Sequence, residues 1–501
     1  MQHTKNYLAV DMGASSGRHI VGRFDGEYLE LEELYRFDNA PVQMTGTFYW
    51  DLPGLWQHVQ NGLQVAGAKY EGDITSVGVD TWGIDFALLD RNGKFLSNPV
   101  CYRDARTDGM MEKVFQTVSR NEIFQHTGLQ FMQFNTLYQL FAMKKNNSPL
   151  FDIADTFLMM PDIFHYLLSG VKSVEFTNAT TTQMFDPVKN SWAFPLLEKL
   201  GVPSKFLPQT AQPGTVLGSL RSELTALTNL NNTRVVLPGT HDTASAVMSV
   251  PATGSGNSRN WAYISLGTWA LMGIESPKPL VNETVSSLNF TNEGGVGNTI
   301  RVLKNICGLW LLQECRRVWN TERRYQQLEP LSWDDMTRMT QQAKPLVSFI
   351  DPDAREFLSP TDMPKAIAAY CERTRQKIPE SKGEILRCAQ DSIALKFRQI
   401  LEMCEKIGGE KIETIHIVGG GTKNRQMCQA AANACQRRVL AGPVEATAVG
   451  NIMMQAIASG SIKGISEARQ IIRSSFDIIE FEPQDAGEWN DAYERSPFYR
   501  T

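Results

Sequence analysis

Short apolar runs, broken by glycine and small polar residues, recur along the chain. Residues 7–10 are apolar and end at Asp11; Gly13-Ala14-Ser15-Ser16-Gly17 follows, then a second strand-like run over 18–24. An apolar run, a tight Gly/Ser turn and a return run predict a hairpin. The same order returns at 74–79, Asp80-Thr81-Trp82-Gly83 and 84–89, and again at 261–266, Gly267-Thr268 and 269–274. Between these units the apolar spacing changes to threes and fours. Ile306, Leu309, Trp310, Leu312 and Cys315 predict a helix over 305–319, and Leu386, Ile393, Leu401 and Cys404 predict one over 384–407. Near the end, a strand over 412–418 runs into Gly419-Gly420-Gly421, followed by a helix over 424–435, a strand over 438–441 and a helix over 446–458. Strand, glycine turn and helix in alternation predict α/β layers.

A chain of 501 residues exceeds what one core serves, which favours two large lobes. Residues 251–260 are rich in Gly, Ser, Asn and Pro, so the change of lobe is expected near 245–260, with lobes over 1–246 and 247–501. Composition narrows the class without changing this picture. Hydrophobic residues are 42% and charged residues 21%, ordinary for a globular enzyme, and the net charge of -5 gives no electrostatic reason to expect nucleic acid or an anionic membrane as partner. No window approaches the roughly 20 apolar residues of a membrane span, and the polar start lacks the features of a secretion signal. Eight scattered cysteines without a CxxC pair read as reduced thiols in a cytoplasmic protein.

Several segments combine groups that could carry chemistry. Asp11 and the turn after it place a carboxylate beside backbone amides, the Ser15 and Ser16 hydroxyls and Arg18, a set suited to phosphate and hydrated Mg²⁺. Gly267-Thr268 could supply an amide and a hydroxyl, and three glycines at 419–421 bare a backbone surface against which a purine could lie. Asp80, Thr81, Trp82, Gly83 and Asp85 offer acceptors, a hydroxyl and an indole for a small carbohydrate. In His241-Asp242-Thr243, Asp242 could accept the proton of a sugar hydroxyl. Each segment also has a structural reading: hairpin turns, a buried tryptophan, close helix packing, and Asp242 or Thr240 as a helix N-cap.

Taken in order, these motifs resemble the two-lobed carbohydrate kinases that share the actin-like ATPase fold. The resemblance rests on Val10-Asp11-Met12-Gly13-Ala14-Ser15-Ser16-Gly17-Arg18, Asp80-Thr81-Trp82-Gly83-Ile84-Asp85, Ser265-Leu266-Gly267-Thr268-Trp269, Thr291-Asn292-Glu293-Gly294-Gly295 and Ala441-Gly442-Pro443-Val444-Glu445-Ala446, together with three matches between residues 102 and 183. Residues 320–382 match less distinctly, and Met12, His19 and Leu266 stand where related sequences vary. The resemblance implies an α/β fold of two actin-like (ribonuclease H-like) ATPase domains with an interdomain cleft. It also implies ATP with Mg²⁺, a small-molecule ketose as acceptor, and no nucleic acid, membrane or obligate protein partner. Within the family the match extends to members that phosphorylate the 1-hydroxyl of L-rhamnulose. By likeness Asp242 is the catalytic base; Ala14, Ser15, Ser16, Gly17, Arg18 and Thr268 meet phosphate, and Gly420 and Gly421 meet adenosine. Gly83, His241, Asp242, Thr243 and Asn292 match sugar-binding positions, and Asp11 is the partner of Mg²⁺. A nucleotide-controlled structural protein on the same fold and a kinase for another ketose or a polyol are the competing readings.

Overall fold

The computed structural model describes residues 4–252 and 260–499. The Gly/Ser-rich heart of the expected lobe change, 253–259, lies outside the described residues. The chain divides into two compact units: Met1–Thr253 with Glu275–Val302 and Ala446–Phe476, and Gly254–Ile274 with Leu303–Glu445 and Asp477–Thr501.

The first unit is built on a six-stranded sheet in the order Val216–Ser219, Arg234–Val236, Ser76–Thr81, Lys5–Met12, Ser16–Phe24 and Leu29–Asp38. Lys5–Met12 and Ser16–Phe24 form the expected antiparallel hairpin, ending with Met12 opposite Gly17. On its other side Lys5–Met12 runs parallel to Ser76–Thr81, which sets Asp11 directly beside Asp80. The second expected hairpin does not form. After Thr81 the chain turns away, and Phe86–Leu89 pairs with Thr156–Met159 in a separate ribbon. Both sides of Ser76–Thr81 are already taken by parallel strands, so no edge is left for a return strand.

The helix Ala446–Ala458 lies on this sheet and is apolar where it packs: Ala448, Val449, Ile452 and Met453 are fully buried with Tyr7, Ala9 and Ile20. Burying one such aliphatic side chain contributes about 1.5–3 kcal/mol. Two polar residues on the same helix are buried and bound to the sheet. Gln455 donates to the Leu8 carbonyl at 3.0 Å and accepts from Ser76 Oγ at 2.6 Å. Asn451 donates to the Gly78 carbonyl at 3.1 Å and to Asp80 Oδ2 at 2.5 Å. The neighbouring helix Asp242–Met248 approaches so closely that a Cβ on Gly450 would stand 1.8 Å from the Ser245 carbonyl oxygen.

In the second unit Trp261–Leu266 and Trp269–Ser276 form the third expected hairpin, and Trp261–Leu266 runs parallel to Thr414–Val418. Thr414–Val418 continues in parallel to Arg438–Ala441, whose outer side carries the antiparallel Ile479–Phe481. The helix Lys382–Gly408 is fixed at its start by a capping box of Ser381 and Glu384 and closed by Gly409 in the left-handed region. The helix expected over 305–319 runs instead over Trp310–Tyr325, because 305–307 finish the strand Ile300–Cys307. Gly308 makes the break: a Cβ there would stand 2.7 Å from the Ala270 nitrogen, so the chain passes against the hairpin too closely for another residue.

Candidate active site

Three sequence motifs of the first unit meet at the ends of its parallel strands. Asp11 closes the first strand and Asp80 stands beside it, while Thr81 forms a bridge to His241 and its N–H donates to the Thr240 carbonyl. Asp11 is bound by Arg18, whose Nη2 lies 2.7 Å from Asp11 Oδ2. In the turn between them the Gly13 N–H donates to the Ser16 carbonyl, and Asn39 fastens it from outside by donating to the Gly13 carbonyl at 2.9 Å. Ala14 and Ser16 are half-buried and Ser15 is exposed. Gly17 is a glycine for a packing reason: the Phe37 ring covers it, and a Cβ would stand 2.1 Å from Phe37 Cζ.

Asp80 is fully buried; Oδ2 accepts from Asn451, and Oδ1 has no hydrogen-bond partner among the described residues. Burial, reinforced by the charge of Asp11, holds its carboxyl well above the usual carboxylate range, against the pull of Asn451. Asp242 is the first residue of its helix. The N-cap is His241, without a side-chain cap, so neither Asp242 nor Thr240 serves as the cap. Asp242 Oδ1 accepts from the Thr243 N–H at 2.6 Å and from Thr243 Oγ1 at 3.1 Å, and His241 Nε2 stands 3.5 Å away. A third of the Asp242 side chain remains exposed, and Oδ2 is the oxygen left without a partner among the described hydrogen bonds. Desolvation raises its carboxyl above the usual range; His241 opposes this and the Asp11 charge adds to it.

Gly83 is buried against Thr181, whose Oγ1 would stand 2.9 Å from a Cβ. Asp85, read from the sequence as an acceptor for substrate, is occupied by the protein. Its Oδ2 accepts from Trp50 Nε1 at 2.7 Å, Trp82 Nε1 at 3.1 Å and the Tyr102 N–H at 3.1 Å, and Oδ1 accepts from Gln139 at 3.0 Å. Burial pushes its carboxyl up to about 6, against the hydrogen bonds of Trp50, Gln139 and Trp82 and the charge of Arg106. Asn292 is also engaged: both hydrogens of its amide go to the Gly128 and Leu280 carbonyls, and Oδ1 accepts from the Leu280 N–H. A sugar hydroxyl can still meet that amide at the second lone pair of Oδ1, whereas a contact through its N–H requires release of one of these bonds.

In the second unit the Thr268 hydroxyl donates to Gln313 Oε1 at 3.1 Å, and the Gly267 and Thr268 carbonyls accept from Leu309, Gly308 and Trp310. The hairpin turn and the start of Trp310–Tyr325 thus hold one another. The three glycines differ. Gly419 takes φ +91°, a Cβ on Gly420 would meet nothing within 4 Å, and a Cβ on Gly421 would stand 2.3 Å from Leu266 Cγ. Only Gly420 presents open backbone. Asn39, Asn451 and Gln313 were invisible to motif reading, because a lone amide carries no sequence signature.

Residues 6–249 match the N-terminal domain of the FGGY family of carbohydrate kinases, and residues 262–459 match its C-terminal domain. The chain belongs to this family. The kinase is 41% identical over 489 residues to a rhamnulokinase of Bacteroides thetaiotaomicron, covering 98% of both chains, and 39% identical to one of Bacillus subtilis, covering 96% of both. Its fold is that of solved sugar kinases. A gluconate kinase from Lactobacillus acidophilus superposes with a TM-score of 0.79 at 15% identity, over 98% of this chain and 96% of the other. A Plasmodium falciparum glycerol kinase with ADP gives 0.74 at 15% identity, over 99% of both. The kinase therefore has the two-domain actin-like ATPase fold, and its family implies ATP as substrate.

Proposed function

We propose that the kinase transfers the γ-phosphoryl group of ATP to the 1-hydroxyl of L-rhamnulose, giving L-rhamnulose 1-phosphate and ADP in the cytoplasmic catabolism of L-rhamnose. The substrate reading is supported by 39–41% identity to rhamnulokinases along almost the whole chain. The eight buried cysteines, none of them in a disulfide, fit a reducing compartment.

The observation that carries the chemistry is the asymmetry of Asp242. One carboxylate oxygen is tied by Thr243 and approached by His241, which leaves Oδ2 to take the proton. As O1 of the sugar bonds to the γ-phosphorus, its proton passes to Oδ2 and the bond to the ADP oxygen breaks. Positioning and electrostatics do most of the work in such a transfer. Ala14, Ser15, Ser16, Gly17 and Arg18 meet phosphate, as does Thr268, and Gly420 with Gly421 borders adenosine. Gly83, His241, Thr243 and Asn292 complete the sugar site, Gly83 by backbone and steric room alone.

No three His, Cys, Asp or Glu side chains among the described residues are grouped as a metal cage. Mg²⁺ that keeps most of its water needs only one or two carboxylates, and Asp11 beside the buried Asp80, which has an oxygen without a partner, fits that demand. Asp11 would hold it, and when bound the ion supplies charge neutralisation at the phosphates of ATP. Arg18, now on Asp11, would then share the phosphate charge.

The test is coupled ADP release with L-rhamnulose, L-fuculose, L-xylulose, L-ribulose, D-xylulose and glycerol. The expected result is the highest kcat/KM for L-rhamnulose. A much higher value for any other acceptor overturns the substrate, and ATP binding without turnover on any of them overturns the activity.

A further inference from the structure

His241 is held at its backbone and at its ring by different groups. Its N–H donates to Thr177 Oγ1 at 3.2 Å. The buried Glu175 carboxylate in turn collects the N–H and hydroxyl of Thr177 and the N–H and hydroxyl of Thr240. The helix N-cap carrying the ring is therefore fixed before any substrate arrives. The ring meets Arg301, which is completely buried at 0% exposure. Arg301 Nε donates to the Gly294 carbonyl at 2.9 Å, and its Nη2 lies 3.0 Å from His241 Nδ1. Glu293 supplies the counter-charge, with Oε2 3.2 Å from Arg301 Nη2 and 3.4 Å from His241 Nδ1. A charge this deep is tolerated only when it is paired, so Glu293 and Arg301 act as one unit.

The chemistry of the guanidinium decides the state of the ring. Arginine has donors only and stays charged, so at 3.0 Å its Nη2–H makes His241 Nδ1 the acceptor. The single ring proton then sits on Nε2, the nitrogen 3.5 Å from Asp242 Oδ1. We propose that Arg301 is a positioning residue that fixes His241 as the neutral tautomer with its proton on Nε2, aiming that N–H at Asp242 Oδ1 and the substrate hydroxyl beside it. The inference rests on Asp242 as the proton acceptor and refines it. With Nδ1 covered and Nε2 protonated, His241 has no lone pair with which to compete for the sugar proton. Its N–H turns its positive end toward Oδ1 from 3.5 Å, beside the two Thr243 donors, and Oδ2 becomes the oxygen that accepts.

The tautomer is read directly by long-range ¹H–¹⁵N correlation on enzyme labelled with ¹⁵N-histidine, with His241 assigned by the loss of its signals in His241→Asn. The wild type is expected to show a protonated Nε2 and a bare Nδ1. In Arg301→Gln a proton appears on Nδ1, kcat falls about ten- to a hundredfold, as when the partner orienting a functional histidine is removed, and the KM for ATP stays unchanged. Arg301→Lys, which keeps a charged donor, recovers most of the loss. The double variant Arg301→Gln, Glu293→Gln removes both charges together and gives the same tautomer change if the single variant does not fold. A proton on Nδ1 in the wild type overturns the proposal, as does a wild-type tautomer in Arg301→Gln or in the double variant. The spectrum needs neither sugar nor ATP, so its outcome is separate from that of the acceptor panel.

Discussion

The turn of the first hairpin, between Asp11 and Arg18, and the turn at Gly267-Thr268 sit on the same plan. In each, an antiparallel hairpin has a parallel strand on the far side of its first strand: Ser76–Thr81 in one unit and Thr414–Val418 in the other. Their surroundings differ in charge. The first turn gathers Asp11, Asp80 and Arg18, with the charge of Asp11 also felt at Asp242. The second offers a hydroxyl bound to a neutral amide, and the strand parallel to it ends in the open backbone of Gly420. A shared backbone plan thus supports two kinds of work. One unit concentrates carboxylates, which suits the proposed proton transfer, and the other offers a hydroxyl and bare backbone, which suit the proposed recognition of ATP.

Substitutions on the two sides should separate these roles. The largest effect is expected from Asp242→Asn, which should lower turnover about 10²- to 10⁴-fold while circular dichroism and ATP affinity stay near wild type; near-normal turnover by a folded variant would refute the assignment of the base. In the second unit Gly421→Ala forces a Cβ to within 2.3 Å of Leu266 Cγ and should cost about 1–3 kcal/mol of unfolding free energy in urea titrations. Gly420→Ala meets nothing within 4 Å, so it should melt like wild type yet bind ADP more weakly by calorimetry. Equal ADP binding by Gly420→Ala and wild type would remove the glycines from the adenosine site. A smaller change follows from Thr268→Val, which deletes one hydroxyl and should weaken ATP binding by about 0.5–1.5 kcal/mol without altering the acceptor preference. The smallest is a displacement in pH. Protonated Asp242 accepts no proton, so kcat falls as pH drops through its value, and because that value is raised the acid limb should lie above the ordinary aspartate range. A limb at or below that range would contradict the raised carboxyl.

How much of this was legible in the chain depended on whether the signal was local. The hairpins at Asp11 and Gly267 were readable because an apolar run, a glycine turn and a return run are local. The helix Ala446–Ala458 was readable to the residue from its composition and its flanking turn. The pairing of Phe86–Leu89 was not, since its partner Thr156–Met159 lies some seventy residues away and nothing between them announces it. Neither was the return of residues 275–302 and 446–476 to the first unit, which is a matter of packing and not of order. Among site residues, His241 and Asp242 stood out in a motif. Arg301 and Glu175 did not, because each acts through another residue and stands alone in its own stretch of sequence. Asp85 misled for the converse reason: it looks like a substrate acceptor until Trp50, Trp82, Tyr102 and Gln139 are seen to fill both its oxygens.

The proposed phosphoryl transfer is tested most directly at the carbon that receives phosphate. L-rhamnulose labelled with ¹³C at C1 is incubated with ATP, Mg²⁺ and the kinase, and the C1 resonance is followed together with ADP. The C1 signal is expected to be replaced by one split through coupling to ³¹P, in step with ADP and without free phosphate. An unsplit C1 signal while ADP accumulates would contradict it.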